Sequence, residues 1–186
     1  TGAMYRAMAY YLIQNQVDAA DQEAIAAACQ HADISICYQD GEQVVLLNGE
    51  NVNAYLRTEA VGNMASVSSV VPEVRKKLVE LQQKLARETD VVMDGRDIGT
   101  VVLPDADVKV YLTASVETRA KRRFLELQEK GETADLAKIA ADIEDRDYRD
   151  MHRDISPLRQ AEDATLVDSS DMTIEQVVER ILELCR

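Results

Sequence analysis

The chain has 186 residues, of which 46% are apolar and 4% aromatic, and its formal net charge at pH 7 is −13. This length can bury a substantial core in a single domain, and the scarcity of aromatic residues predicts an aliphatic core. The acidic balance argues against a broad nucleic-acid-binding surface. No apolar run approaches the roughly 20 residues that a membrane helix needs.

The first half of the chain is predicted to combine helices with one β-hairpin. Helices are predicted at residues 3–14, 21–30, 58–69 and 73–88. Asp21 is a good N-cap for the second of them, and Pro72 fits the start of the fourth. The runs ISICYQ and EQVVLLN flank Asp40-Gly41, so residues 34–48 are predicted to form a hairpin in which Gly41 adopts positive φ.

The second half alternates short apolar runs with helices. Strands are predicted at residues 91–93, 108–114 and 164–170, and helices at residues 115–130, 134–152 and 173–185. Thr173 and Gln176 form a capping box at the start of the last helix. This alternation predicts an α/β fold with a parallel sheet covered by helices on both faces, to which the hairpin is an antiparallel insertion.

Three charged residues follow the apolar run at 91–93, in the segment DGRDIG. Ligands of open α/β sheets bind beyond the carboxyl ends of strands, and Asp94 stands where kinase folds place a magnesium-associated carboxylate. The alternative is that Asp94 and Asp97 only shape a turn. Arg96 weakens that alternative, because a guanidinium between two carboxylates is costly to hold unless it meets a ligand or a tight ion pair.

Arginine outnumbers lysine 14 to 7, and its rigid fork suits phosphates and carboxylates. Two helix faces carry clusters: Arg119, Arg122 and Arg123 at i, i+3, i+4, and Arg146, Asp150 and Arg153 at i, i+4, i+7. Such clusters are often only solvated faces paired with nearby carboxylates. Convergent arginines on two helices would instead neutralise a polyphosphate during its transfer.

The cysteines Cys29, Cys37 and Cys185 are odd in number and show no CxxC spacing. We therefore expect neither a disulfide framework nor a zinc site, and a reducing cytoplasmic location. Near the start of the chain, Gly2 beside a helix start is followed one turn later by Tyr5 and Arg6. That arrangement could hold a phosphate at a helix N-terminus, although alone it is a weak signal.

Several segments, in order and spacing, resemble the bacterial cytidylate kinase family of nucleoside monophosphate kinases: TGAMYR (1–6), DGRDIGTVVLPDADVK (94–109), ETRAKRR (117–123), LQEKG (127–131) and RDYRDMHR (146–153). The resemblance covers essentially the whole chain. It implies a P-loop kinase-like parallel sheet flanked by helices, with a small antiparallel β insertion. It also implies transfer of the γ-phosphoryl group of ATP, with Mg²⁺, to CMP or dCMP by a monomeric enzyme of pyrimidine metabolism.

The resemblance also implies roles for single residues. Acceptor-nucleotide contacts are expected from Thr1, Tyr5, Arg6, Ser66, Arg75, Asp97, Arg146 and Asp150. Among these, Ser66, Arg75 and Asp97 should read the cytosine edge. Catalytic cations are expected to be Arg96, Arg119, Arg123 and Arg153, and a lid at 119–133 should bring Arg119, Arg122 and Arg123 to ATP. Asp94 should meet the metal indirectly. We expect one core domain, 1–186, with a nucleotide-binding insertion at 31–68.

One family feature is absent from the sequence. The family begins with a strand and a phosphate loop of the form GxxxxGK[ST], and the seven glycines here include no such spacing. We therefore expect the first strands to be missing, through truncation rather than natural loss, and the chain to be a poor kinase. Two alternatives stay open: a catalytically silent module that binds CMP, and a kinase for another monophosphate such as UMP or AMP.

Overall fold

The computed structural model describes all 186 residues, which divide into two compact units, Thr1–Gly95 and Arg96–Arg186. The first unit contains the helices α1 (Gly2–Gln14), α2 (Gln22–Cys29), α3 (Glu59–Ser68) and α4 (Pro72–Glu88), the strands β1 (Ile34–Gln39), β2 (Glu42–Leu47) and β3 (Glu50–Asn51), and a 3₁₀ turn at Asn53–Tyr55. The second contains a π-helical turn at Ile98–Val102, the strands β4 (Val110–Thr113) and β5 (Thr165–Asp168), and the helices α5 (Val116–Glu129), α6 (Leu136–His152) and α7 (Ile174–Leu184).

Helix α1 forms the centre of the first unit. Its residues Ala7, Met8, Ala9 and Leu12 are fully buried. Because two of them are alanines, α3 and β2 can approach the helix closely, and α1 packs against both. The core is aliphatic, as the composition predicted.

The predicted hairpin is confirmed. β1 and β2 pair antiparallel with Ile36 opposite Val45, and Gly41 has φ of 82° at the turn. Two predicted caps are also confirmed: Asp21 accepts a hydrogen bond of 2.9 Å from the Ala24 amide, and Thr173 forms the capping box of α7. Each of these features depends on contacts between near neighbours, which a sequence pattern can specify.

The second unit contains a two-stranded parallel sheet. β4 pairs with β5, and Leu112 lies opposite Val167. Helices α5 and α6 pack against each other. The predicted strands at 108–114 and 164–170 are therefore confirmed, together with the mixed α/β fold class and its antiparallel insertion.

The predicted strand at residues 91–93 is wrong. These residues have no regular secondary structure, and Val92 is fully exposed rather than buried. A strand is stable only when a neighbouring segment completes its hydrogen-bond ladder, and no part of the chain pairs with this run. No helix in the structure has the length and apolar character required to cross a membrane.

Candidate active site

In the first unit, the predicted acceptor residues Tyr5 and Arg75 lie together. Arg75 is only 4% exposed, and its Cζ lies 5.6 Å from the centroid of the Tyr5 ring. Its Nη1 donates a hydrogen bond of 3.1 Å to the carbonyl of Ser69, just beyond the end of α3. A cation–π contact and a carbonyl thus hold a buried guanidinium at the junction of α1, α3 and α4.

Arg6 lies one residue further along α1 and reaches the other end of α3. Its Nη1 donates a hydrogen bond of 2.9 Å to the carbonyl of Leu56. A Cβ added at Gly62 would lie 3.3 Å from that nitrogen, so the glycine leaves room for the guanidinium. Gly62 was missed at the sequence level, although a lone glycine inside a predicted helix is the signal that could have identified it.

Thr1, Ser66 and Asp94 are also in the first unit. The Thr1 hydroxyl donates a hydrogen bond of 2.7 Å to the Asp94 carbonyl, while the Asp94 side chain is 99% exposed. Ser66 is exposed, and its carbonyl accepts a hydrogen bond of 2.9 Å from the Ser69 hydroxyl. Ser66 and the Asp94 side chain are thus both exposed to solvent, and the Asp94 carboxylate lies 3.6 Å from the Thr1 ammonium group.

In the second unit, Asp97 is buried, with 6% of its surface exposed. Its carbonyl accepts hydrogen bonds from the amides of Val101, at 2.9 Å, and Val102, at 3.2 Å. Asp97 therefore begins the π-helical turn, a form often found at functional sites. The sequence suggested an Asp-containing turn here but gave no sign of its π-helical geometry.

The carboxylate of Asp150 on α6 lies within 4.0 Å of three of the predicted arginines. Its carboxylate lies 2.9 Å from Arg96 Nε, 3.5 Å from Arg153 Nη1 and 4.0 Å from Arg146 Nε. The side chains of Asp150 and Arg153 are 19% and 12% exposed. Arg153 also donates to the Ser156 carbonyl. A single carboxylate facing three guanidinium groups is an arrangement suited to binding anions.

Arg119 on α5 forms a bidentate pair with Asp147 on α6. Nη1 lies 3.0 Å from Oδ1 and Nη2 lies 2.6 Å from Oδ2. Its Nε donates a further hydrogen bond of 2.9 Å to the carbonyl of Ala114. The hydrogen bonds to Asp147 raise the pKa of Arg119 above its usual range. Asp147 was missed at the sequence level because its partner lies 28 residues away on another helix.

The other two arginines of α5 have different surroundings. Arg122 Nη2 donates to the carbonyls of Ser169, at 2.6 Å, and Met172, at 3.3 Å. Arg123 pairs with Glu126 on its own helix at 2.8 Å and is half exposed. Arg122 therefore connects α5 to the loop after β5. The Arg123–Glu126 ion pair lies at the surface, where such pairs contribute little to stability.

Glu126 carries the most perturbed carboxyl group in this region. Hydrogen bonds from Lys130, at 2.5 Å, and Arg123, at 2.8 Å, lower the pKa of Glu126 to about 2. Both partners lie within one turn of α5, so this network is local to the helix. The Glu126 carboxyl group therefore stays ionised at pH values below the usual glutamate range, as long as both cations remain in place.

No group of three or more His, Cys, Asp and Glu side chains is arranged to hold a metal ion. Magnesium in nucleotide enzymes retains several waters and uses one or two carboxylates together with substrate phosphates. The exposed carboxylate of Asp94 fits such an indirect contact, and it does not form part of a protein cage.

The family model for cytidylate kinase matches residues 1–186, the whole chain. The chain belongs to the cytidylate kinase family. It is 50% identical to the cytidylate kinase of Lactobacillus johnsonii, over 99% of this chain and 80% of the relative. For the cytidylate kinases of Caldicellulosiruptor saccharolyticus and Pasteurella multocida the identities are 48% and 44%, over 81% and 80% of the relatives. The chain thus spans about four fifths of the length of these cytidylate kinases.

The cytidylate kinase match confirms the resemblance that the separate sequence segments predicted. It assigns no role to a single side chain. The roles of the arginines and carboxylates described above therefore rest on their own geometry and chemistry.

Proposed function

We infer that the protein transfers the γ-phosphoryl group of ATP to CMP or dCMP, giving ADP and CDP or dCDP. The arrangement of Arg96, Arg146 and Arg153 around Asp150 carries this inference on the structural side. Phosphoryl transfer needs little covalent chemistry from the protein. It depends on holding two anionic groups in line and stabilising the charge on the moving phosphoryl group, and clustered guanidinium groups supply both.

The acceptor phosphate is proposed to bind Arg96 and Arg153, helped by Arg6. Arg153 is the best held of these, since its side chain is 12% exposed and bonded to both Asp150 and Ser156. An oxygen of the bound monophosphate attacks the γ-phosphorus of ATP, and the bond from that phosphorus to the β-γ bridging oxygen breaks. Arg146 and Asp150 are proposed to reach the ribose hydroxyls or the phosphate.

Recognition of cytosine is proposed to involve Ser66, Arg75 and Asp97, with Thr1 and Tyr5 lining the monophosphate pocket. A carboxylate accepts hydrogen bonds and cannot donate them, so Asp97 suits the exocyclic amino group of cytosine. A guanidinium donates only, so Arg75 suits the ring carbonyl. This division of donors and acceptors would disfavour uracil, which has a carbonyl where cytosine has its amino group.

The donor side is proposed to use α5. Residues 119–133 would form the lid over ATP, with Arg119 and Arg123 as catalytic cations. Arg122 belongs to the same predicted segment, and its bonds to Ser169 and Met172 support a role in anchoring the lid. Mg²⁺ bound to ATP would neutralise phosphate charge as the phosphoryl group moves, with Asp94 as an indirect contact.

The sequence contains no GxxxxGK[ST] loop, the form that cradles the phosphates of ATP. The CMP-binding module without turnover remains a second candidate for that reason. The core domain 1–186, the nucleotide-binding insertion at 31–68, the monomeric state and the cytoplasmic location stay predictions of this proposal. Light scattering of the purified protein tests the oligomeric state.

A coupled assay for ADP tests the proposed reaction directly, using the natural gene product with Mg²⁺, ATP and one monophosphate at a time. We expect ADP formation with CMP and dCMP that exceeds the rates with UMP, AMP and GMP at least tenfold. Equal rates with all five acceptors would contradict the proposed specificity. Calorimetric binding of CMP without turnover would favour the silent module.

A further inference from the structure

Arg119 is held at two separate points. Its Nε donates to the carbonyl of Ala114 at the end of β4, at 2.9 Å, and its two terminal nitrogens form the bidentate pair with Asp147 at 3.0 and 2.6 Å. These bonds use three of the five N–H groups that a guanidinium carries. One N–H on each terminal nitrogen remains for another acceptor, and the side chain is 35% exposed.

We propose that Asp147 is a positioning residue for phosphoryl transfer, which fixes the plane of the Arg119 guanidinium so that its remaining N–H groups meet a phosphate oxygen. The inference rests on the proposed function, since it assigns Arg119 to the donor phosphates. A bidentate carboxylate sets both the position and the plane of its guanidinium. A cation fixed in advance stabilises transition-state charge without having to reorganise during the reaction.

The neighbouring arginines on α5 show why the pair with Asp147 is distinctive. Arg122 is bonded to backbone carbonyls, and Arg123 pairs with the half-exposed Glu126 only three residues away. Arg119 alone among them is paired with a carboxylate from a different helix, and the Asp147 side chain is 25% exposed. The pair therefore fixes Arg119 relative to α6 and not merely within its own helix.

Asp147 lies close to Asp150 on α6. Asp147 and Asp150 are separated by three residues, so they lie on neighbouring positions of one helix face. Two carboxylates on one face of α6 thus hold the proposed phosphate-binding arginines. Asp150 holds Arg96 and Arg153, which are assigned to the acceptor phosphate. Asp147 holds Arg119, which is assigned to the donor phosphates.

The test substitutes Asp147→Asn in the natural gene product and measures kcat and KM for ATP and CMP. The matched control is Asp142→Asn, an exposed aspartate five residues earlier on α6, which gives the same change in charge. We expect Asp147→Asn to lower kcat roughly tenfold or more while KM for CMP stays within about twofold. The control should retain the wild-type values, and Asp147→Glu should recover part of kcat because it restores the carboxylate.

Thermal unfolding separates positioning from a merely structural role. If Asp147 only joined α5 to α6, Asp147→Asn would lower the Tm and leave the kcat of the folded enzyme unchanged, which would overturn the proposal. Kinetics indistinguishable from those of Asp142→Asn would also overturn it.

Combining Asp147→Asn with Arg119→Lys tests whether the aspartate acts through the arginine. We expect Arg119→Lys alone to lower kcat. The double variant should have a kcat no lower than that of the slower single variant, because the two residues act as a unit. Multiplicative losses in the double variant would refute action through Arg119. If Arg119→Lys has the wild-type kcat, neither Arg119 nor Asp147 contributes to the reaction, and the proposal is overturned. The proposed CMP kinase activity would be unaffected by that result.

Discussion

Removing the charge of Asp150 should destabilise the protein, because three guanidinium groups would lose their shared carboxylate. Breaking a fully buried ion pair costs about 3–5 kcal/mol. Asp150 and Arg153 are 19% and 12% exposed, whereas Arg96 and Arg146 are 42% and 64% exposed and contribute little. We therefore expect Asp150→Asn to lower the free energy of unfolding by about 2 kcal/mol.

Urea unfolding of the 186-residue chain at pH 7 measures this loss. The control Asp145→Asn removes the same charge from an exposed position five residues earlier on α6 and should cost less than about 0.5 kcal/mol. Inorganic phosphate provides a second measurement, because an anion can take the place of the missing carboxylate. At ten times its dissociation constant it should restore about 1.4 kcal/mol to Asp150→Asn.

The wild-type protein should gain less from phosphate than Asp150→Asn does, since its own carboxylate already lies among the arginines. Sodium chloride at matched ionic strength corrects for screening of surface charges. The reasoning is refuted if Asp150→Asn is as stable as Asp145→Asn. It is also refuted if phosphate stabilises Asp150→Asn no more than Asp145→Asn, because an anion would then not take the place of the missing carboxylate.

Three further predictions concern single residues. Gln82 is 1% exposed and its Nε2 has no hydrogen-bond partner, so Gln82→Met should raise the free energy of unfolding by about 1 kcal/mol in urea titrations. Gly41 has φ of 82°, so Gly41→Ala should lower it by about 1 kcal/mol. The pKa of Glu126, lowered to about 2 chiefly by Lys130, should move toward 4.5 in Lys130→Gln when followed by NMR. Because this pKa is depressed, any stability from Glu126 is present above the usual glutamate range and is lost as pH falls toward 2.

Sequence patterns within one helix or one turn predicted the local structure well. The sequence could not predict which distant segments pair with one another. The cap at Asp21, the capping box at Thr173 and the turn at Gly41 are local, so the sequence specifies them directly. Residues 91–93 have strand composition, but composition cannot supply the missing ladder partner.

The contacts of the candidate site also include some that residue spacing predicted and some that it could not predict. Spacing placed Arg146, Asp150 and Arg153 on one face of α6, and the structure brings them together. Spacing could not reveal that Asp150 also binds Arg96, 54 residues away, or that Asp147 holds Arg119. Such pairs depend on how α5, α6 and the turn after residue 95 pack, and that packing is a property of the tertiary structure alone.

Recognition of cytosine through Asp97 is the central claim, and the ratio of kcat/KM for CMP to that for UMP tests it most directly. In the natural gene product this ratio should fall at least tenfold on Asp97→Asn, because an amide can donate to the uracil carbonyl whereas a carboxylate cannot. An unchanged ratio in a variant that is folded and active would contradict the account.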